Sequence, residues 1–322
     1  MVIMLLVSFL VLFVTGLARG LAYANISAVE NMPANYFVVQ GDADQTFRRS
    51  QLTDTELQNV RAVVGDNNAS SLAIEGDKIT NETNGKVLVD RDLEQSGIKL
   101  GSIIRDQATG MEFTVAGFVE DSSYSHTPVV YINNQDWQAM KQGVNQGEET
   151  SSSVPFNVIA LNANADQVNK ISTNVKDVEV ITQKVAISNI PGYSAEQGSL
   201  LMMIVFLFVI AAFVLAVFFY VITIQKTSQF GILKAMGTKM SYLAWSVVGQ
   251  VMILAISSLC ISLLLTFGMN KVLPDSMPFQ LEPSTILLTS CLFVGMSLLG
   301  SLISVAKVAK VDALEAIGRA GA

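Results

Sequence analysis

One histidine, two cysteines and a single glycine-lysine pair have the strongest claim to site chemistry in this chain, and none lies in a pattern that completes a site. His126 sits in the turn-rich stretch Asp121-Ser-Ser-Tyr-Ser-His126-Thr-Pro128. Its imidazole could ligate a metal or haem iron, but no second His or Cys stands nearby, so an exposed loop histidine is the plainer role. Cys260 and Cys291 fall inside long uncharged segments, where a thiol behaves as a small hydrophobe and implies no disulfide framework. Gly85-Lys86 is followed by Val87 and lacks the glycine spacing that cradles phosphates, so the chain holds no ATP of its own. With one His and no paired acids in a credible pocket, catalysis has nothing to work with. Energy for any transport must come from another subunit or from none.

The elements that would position a binding site are set by where charge is missing. Of 322 residues, 51% are hydrophobic and only 15% charged, too apolar for an ordinary soluble protein. Uncharged blocks cover residues 1–17, 199–225, 240–270 and 283–306. A hydrocarbon core about 30 Å thick takes about 20 residues at about 1.5 Å each, so three blocks are long enough and the first is marginal. The expected fold is a membrane protein with four transmembrane α-helices in a 1+3 arrangement. A large extracellular α+β domain lies between the first and second. The divisions are helix 1 at residues 1–24, the outer domain at 25–198, helix 2 at 199–225, a cytoplasmic loop at 226–240 and helix 3 at 241–270. An outer loop at 271–282, helix 4 at 283–306 and a cytoplasmic tail at 307–322 complete the chain.

Charge orients these spans. Lys226, Lys234 and Lys239 in one loop and Lys307, Lys310 and Arg319 in the tail, opposed only by Asp312 and Glu315, place both in the cytoplasm by the positive-inside rule. A cleaved signal peptide is the rival for the first block, because Ala22-Tyr23-Ala24 resembles a cleavage site. Against it, no basic region precedes the apolar stretch, and Gly16-x-x-x-Gly20 is a helix-packing motif that a discarded peptide does not need. The missing basic flank suggests that a short cytoplasmic segment precedes residue 1.

The intervening segment reads as water-soluble. All but four of the 27 acids and all but eight of the 20 bases fall within residues 25–198, giving 23 against 12 and a net charge of −11 there. Such a domain repels phosphate backbones, which argues against nucleic acid as a partner. Strands are expected at residues 36–40, 86–90, 111–119, 129–133, 157–162 and 178–182, rich in Val, Ile and aromatics. Thr53 with Glu56 three residues on predicts a capping box opening a helix that runs to Val64. Residues 135–143 and 165–175 read as further helices, the last inside a βαβ unit, and 142–153 as a mobile loop.

The basic loop at residues 225–239 places Phe230, Leu233 and Ala235 among lysines, with Gly231 and Gly237 as punctuation. It reads as a short amphipathic helix, resting either on a partner or on the membrane surface. Residues 218–237 (FFYVITIQKTSQFGILKAMG) resemble the signature of FtsX/MacB-type ABC transporter permeases, and residues 311–318 (VDALEAIG) resemble their C-terminal motif. Residues 11–21, 25–27 and 192–204 add to the likeness, which within that superfamily is to the haem-exporter permeases. The resemblance implies a homodimer of this permease, on two copies of an ABC ATPase that binds the ATP and magnesium, in the membrane of a Gram-positive bacterium. Gln225, Lys226, Phe230, Gly231, Leu233, Lys234 and Gly237 would then form the coupling element. ATP-driven closure would push on it and move the helices as rigid bodies.

Haem as a substrate sets the rest of the expectations. It is a flat apolar ring with two propionates, and its ferric iron accepts oxygen ligands such as tyrosinate or carboxylate. At the outer ends of the first two spans, Arg19 suits a propionate, Tyr23, Tyr193 or Glu196 suits iron, and Met202, Met203 and Phe206 suit the ring face. Tyr220, near the inner end of the second span, is a secondary candidate. Each has an ordinary alternative: Arg19 can snorkel to headgroups, the tyrosines can be interfacial aromatics, and the methionines can pack helices. Export of an antimicrobial peptide or other amphiphile, and mechanical signalling to an extracellular partner, fit the same architecture.

Overall fold

The computed structural model describes residues 1–72, 85–144, 155–274 and 277–308. The C-terminal motif at residues 311–318, Lys310, Arg319 and residues 145–153 of the expected mobile loop lie outside them. In chain order the elements are α1 (Val2–Glu30), β1 (Tyr36–Gln40), α2 (Asp54–Val64), β2 (Ala69–Leu72), β3 (Lys86–Asp90), α3 (Asp92–Gln95) and β4 (Ile103–Arg105). There follow β5 (Glu112–Val119), β6 (Ser123–Tyr124), β7 (Thr127–Pro128), β8 (Val130–Tyr131), α4 (Asn134–Val144), β9 (Val158–Leu161), α5 (Ala165–Asn174) and β10 (Val178–Thr182). The chain continues through α6 (Gln183–Ser188), α7 (Tyr193–Gln225), α8 (Thr227–Ala235), α9 (Met240–Asn270) and α10 (Pro283–Val308). Two compact units divide it: Met1–Leu21 with Gly198–Ala322, and Ala22–Gln197.

The first unit contains α9, α10 and the parts of α1 up to Leu21 and of α7 from Gly198. The four long helices α1, α7, α9 and α10 hold 29, 33, 31 and 26 residues. Each exceeds the roughly 20 residues that a hydrocarbon core requires, and all four are apolar enough to cross it. Their shared interior is Met4, Leu12, Leu215, Phe219, Val251, Ala255, Leu259 and Phe293. Hydroxyl pairs join them: Ser8 Oγ with Ser262 Oγ at 2.5 Å, and Ser304 Oγ donating to Thr223 Oγ1 at 2.5 Å. Such pairing satisfies polar groups that lipid cannot.

The glycine pair expected to pack a helix receives a loop instead. A Cβ at Gly16 would come within 2.7 Å of the Phe279 ring, and one at Gly20 would overlap the Pro278 carbonyl. Gln280 N donates to Gly16 O at 3.1 Å, fastening the segment that precedes α10 along this face of α1.

The second unit is mixed α+β. One sheet has the order β10-β1-β9-β2 with every pairing antiparallel, and a second has the order β4-β5-β3-β8, in which β3 and β5 are parallel. Alternation along β1 sends Val38 to one core, with Ile159, Leu161 and Trp137, and Phe37 and Val39 to another, with Val158 and Ile181. This sheet is covered on both faces, which is why β9 is buried at every position. The βαβ unit exists in split form: β9 and β10, joined through α5, both pair antiparallel with β1 between them. The Thr53 and Glu56 capping box also forms, with Thr53 N donating to Glu56 Oε2 at 2.8 Å.

Several boundaries differ from expectation. Helix α1 runs on through Glu30 and α7 begins at Tyr193 rather than 199, because a helix continues where its backbone bonds continue, whereas the expected limits followed apolarity. The strand at 129–133 contracts to Val130–Tyr131, and β2, β4, β6 and β7 were not foreseen. They are two to four residues long, and Ala69-Ser-Ser-Leu72 offers none of the β-branched residues that mark a strand.

Candidate functional site

Within the Ala22–Gln197 unit, three elements meet at one carboxylate. Glu196 lies in the first turn of α7, after Gly192 turns the chain with φ +83° and accepts Glu196 N at 3.0 Å. Its Oε2 accepts a bond from Asn25 Nδ2 on α1 at 2.7 Å and sits 2.9 Å from His126 Nε2. Since a carboxylate only accepts, Nε2 is the protonated ring nitrogen. Asn25 is 2% exposed, whereas the Glu196 and His126 side chains retain 20% and 41% of their exposure. His126, read as a plain loop residue, is thus a hydrogen-bond partner of Glu196.

The loop that presents His126 is the hairpin of β6 and β7. Ser125 and His126 form its two-residue tip with φ 52° and 60°, the positive values that a tight hairpin turn with matching twist demands. The tip is fastened to α1 by Ser125 N donating to Asn25 O at 2.9 Å and Ser123 N donating to Ser27 Oγ at 2.8 Å. At its base the buried Asp90 carboxylate accepts from Ser122 N at 2.7 Å, and Ser122 Oγ meets the Tyr131 hydroxyl.

Tyr23 belongs to the same neighbourhood. Its hydroxyl accepts from Asn31 Nδ2 at 2.7 Å, and Asn31 also donates to Asp121 O at 2.9 Å. Burial pushes the Asp121 carboxyl above its ordinary range, helped by the Glu120 and Asp90 charges and opposed by a hydrogen bond with Tyr23. Burial likewise raises the Tyr124 phenol, with Arg48 pulling the other way. Tyr193 packs, half-buried, against the core that holds Ile26, Val29 and Ile190. Among the described residues no group of three or more His, Cys, Asp or Glu could hold a metal ion.

The other candidates lie in the membrane unit. Arg19 Nε is 3.1 Å from Glu282 Oε2, so its charge already faces an anion. Met202, Met203 and Phe206 are exposed on α7, as is Tyr220 at 40%. A helix, α8, forms in the basic loop, preceded by Gln225, the last residue of α7, and by Lys226, whose Nζ donates to Gln250 Oε1 at 2.6 Å. Phe230 lines a crevice with Lys226, Val247, Gln250 and Val251. Gly231 is buried, Leu233 half-buried and Lys234 exposed, and Gly237 turns the chain towards α9 with φ +90°.

Sequence reasoning named Glu196 and His126 separately but did not join them, and it quoted Asn25 only within a motif. Seventy residues separate the first two, and no local periodicity reports a contact of that range.

Comparison with known proteins bears on what this arrangement serves. Residues 201–313 match the FtsX-like permease C-terminal family. A protein of Staphylococcus haemolyticus (strain JCSC1435) named hemin transport system permease protein HrtB is 31% identical over 341 residues, spanning 99% of this chain and 94% of its own length. Proteins of the same name in two Staphylococcus epidermidis strains, ATCC 12228 and RP62A, are 31% and 30% identical over 342 residues each, with the same coverage. Four membrane-length helices, a β-containing region between the first and second, and kinship along nearly the whole length place this chain among the HrtB permeases of the FtsX-like family.

Proposed function

We propose that this permease exports haem from the membrane as a homodimer, driven by an HrtA-like ATPase subunit that carries the ATP and magnesium. The observation that carries the reading is the Glu196 carboxylate, held through Oε2 by Asn25 and His126 in a chain akin to permeases named for hemin transport. Ferric haem accepts an oxygen ligand, and a carboxylate fixed on one oxygen offers the other. Tyr23 and Tyr193 are the alternative iron ligands. Arg19 serves a propionate, which must displace or share Glu282. Met202 and Met203 offer soft apolar surface to the ring, and Tyr220 marks an inner-leaflet contact.

In this reading the Ala22–Gln197 unit is extracellular and α8 is cytoplasmic. Lys226, Lys234 and Lys239 support that orientation through the positive-inside rule. The residues from Gln225 to Gly237 receive the thrust of the ATPase.

Proteoliposomes holding the permease with its ATPase and loaded with haemin test the proposal. ATP should drive haemin across the bilayer, and substitution of Glu196 should slow it. ATP-driven movement of a cationic peptide but not of haemin would instead assign an amphiphile exporter. ATP turnover with no cargo and a co-purifying extracellular protein would assign mechanical signalling.

A further inference from the structure

We propose that His126 and Asn25 are positioning residues for Glu196: together they tie Oε2 so that Oε1 is the oxygen offered to ferric iron. The inference rests on the haem reading above and deepens it, by naming the groups that aim the ligand.

Both hydrogen bonds end on the same atom, Glu196 Oε2, and neither uses Oε1. A carboxylate that merely pinned the hairpin to α7 would gain as much from one donor on each oxygen. Two donors on one oxygen fix the rotamer and leave the second oxygen's lone pairs unspent. Groups that hold a metal ligand's far atom in this way orient it and set its basicity.

A second observation separates positioning from docking. Asn25 is 2% exposed, and its Oδ1 is buried without a hydrogen-bond partner. A buried amide that leaves its acceptor unpaired has sacrificed a hydrogen bond to aim its donor. The hairpin bears a comparable cost, because Ser125 and His126 both adopt positive φ without being glycine, a conformation that surrounding contacts must maintain. Those contacts are the bonds from Ser125 to Asn25 and from Ser123 to Ser27. Asn25 therefore grips the tip through its backbone carbonyl and the carboxylate through its side chain, fixing His126 and Glu196 together.

The test is haemin titration of the detergent-solubilised full chain, followed by the Soret band and the charge-transfer band of ferric haem. His126→Ala and Asn25→Ala should each weaken haemin binding by about 10- to 100-fold, the range for loss of groups behind a metal ligand, and should move the charge-transfer band. His126→Gln, which keeps an N–H donor, should restore affinity to within about threefold. Only protein eluting as wild type is scored, and if the alanine variant does not fold, His126→Leu replaces it as a donorless side chain. Haemin binding lost in Glu196→Ala but unchanged in His126→Ala and Asn25→Ala would overturn the positioning role and leave the haem reading intact. Failure of the wild type to bind haemin would overturn both.

Discussion

Arg19 and Glu282 form an ion pair between α1 and the residue immediately before α10, with Nε 3.1 Å from Oε2. It is partly exposed, so its contribution to stability is about 1 kcal/mol or less. Its larger effect is on the charge that Arg19 can offer. If Arg19 receives a haem propionate, Glu282→Gln removes a competing anion and should tighten haemin binding about 2- to 5-fold, since an exposed pair is worth about 1 kcal/mol or less. Arg19→Gln should weaken it, and esterified haem should respond to neither change.

Gly20 has no room for a side chain because the Pro278 backbone occupies the position of its Cβ. Backbone cannot rotate away as a side chain can, so Gly20→Leu should destabilise the membrane unit by about 1 to 3 kcal/mol or more. Gly198→Ala, where no atom lies within 4 Å of the added carbon, is the matched control. Thermal melting in detergent should separate the two.

Asp121 supplies a pH dependence with a defined sign. Its carboxyl is raised by burial and by Glu120 and Asp90, so the fold prefers the protonated form. The associated stability is present below the unfolded value of about 3.8 and is lost as pH rises through the folded value. Asp121→Asn should therefore be more stable than wild type at pH 7, with the advantage shrinking as pH falls through the carboxylate range. Melting temperatures of both proteins across pH 4 to 8 check this.

Phe230 shares a crevice with Lys226 and Gln250 at the start of α8. If this helix couples ATP turnover to transport, Phe230→Ala should leave basal ATPase activity of the assembled complex near wild type. Its stimulation by haemin should fall several-fold. Equal stimulation in both proteins would remove α8 from the coupling path.

The membrane architecture was legible because lipid imposes a long-range rule on composition: an uncharged run of sufficient length has few fates in a chain this apolar. The uncharged run at residues 240–270 marked α9, which starts one residue before the helix expected at 241–270. The capping box at Thr53 was equally plain, since its two partners are three residues apart. The hairpin carrying His126 was not, because two-residue strands have no periodicity to detect. The Gly16 and Gly20 pair was read as a helix-packing motif, but glycines report only that something approaches closely, and here it is a loop. Glu196 stood out as an oxygen donor, while its anchors Asn25 and His126 come from 171 and 70 residues away.

Haemin titration of the purified full-length chain is the most direct measurement of all. Haem export with Glu196 as ligand predicts a saturable Soret shift in the wild type, and a loss of affinity of at least about tenfold in Glu196→Ala. An unshifted band in the wild type, or identical titrations for the two proteins, would contradict it.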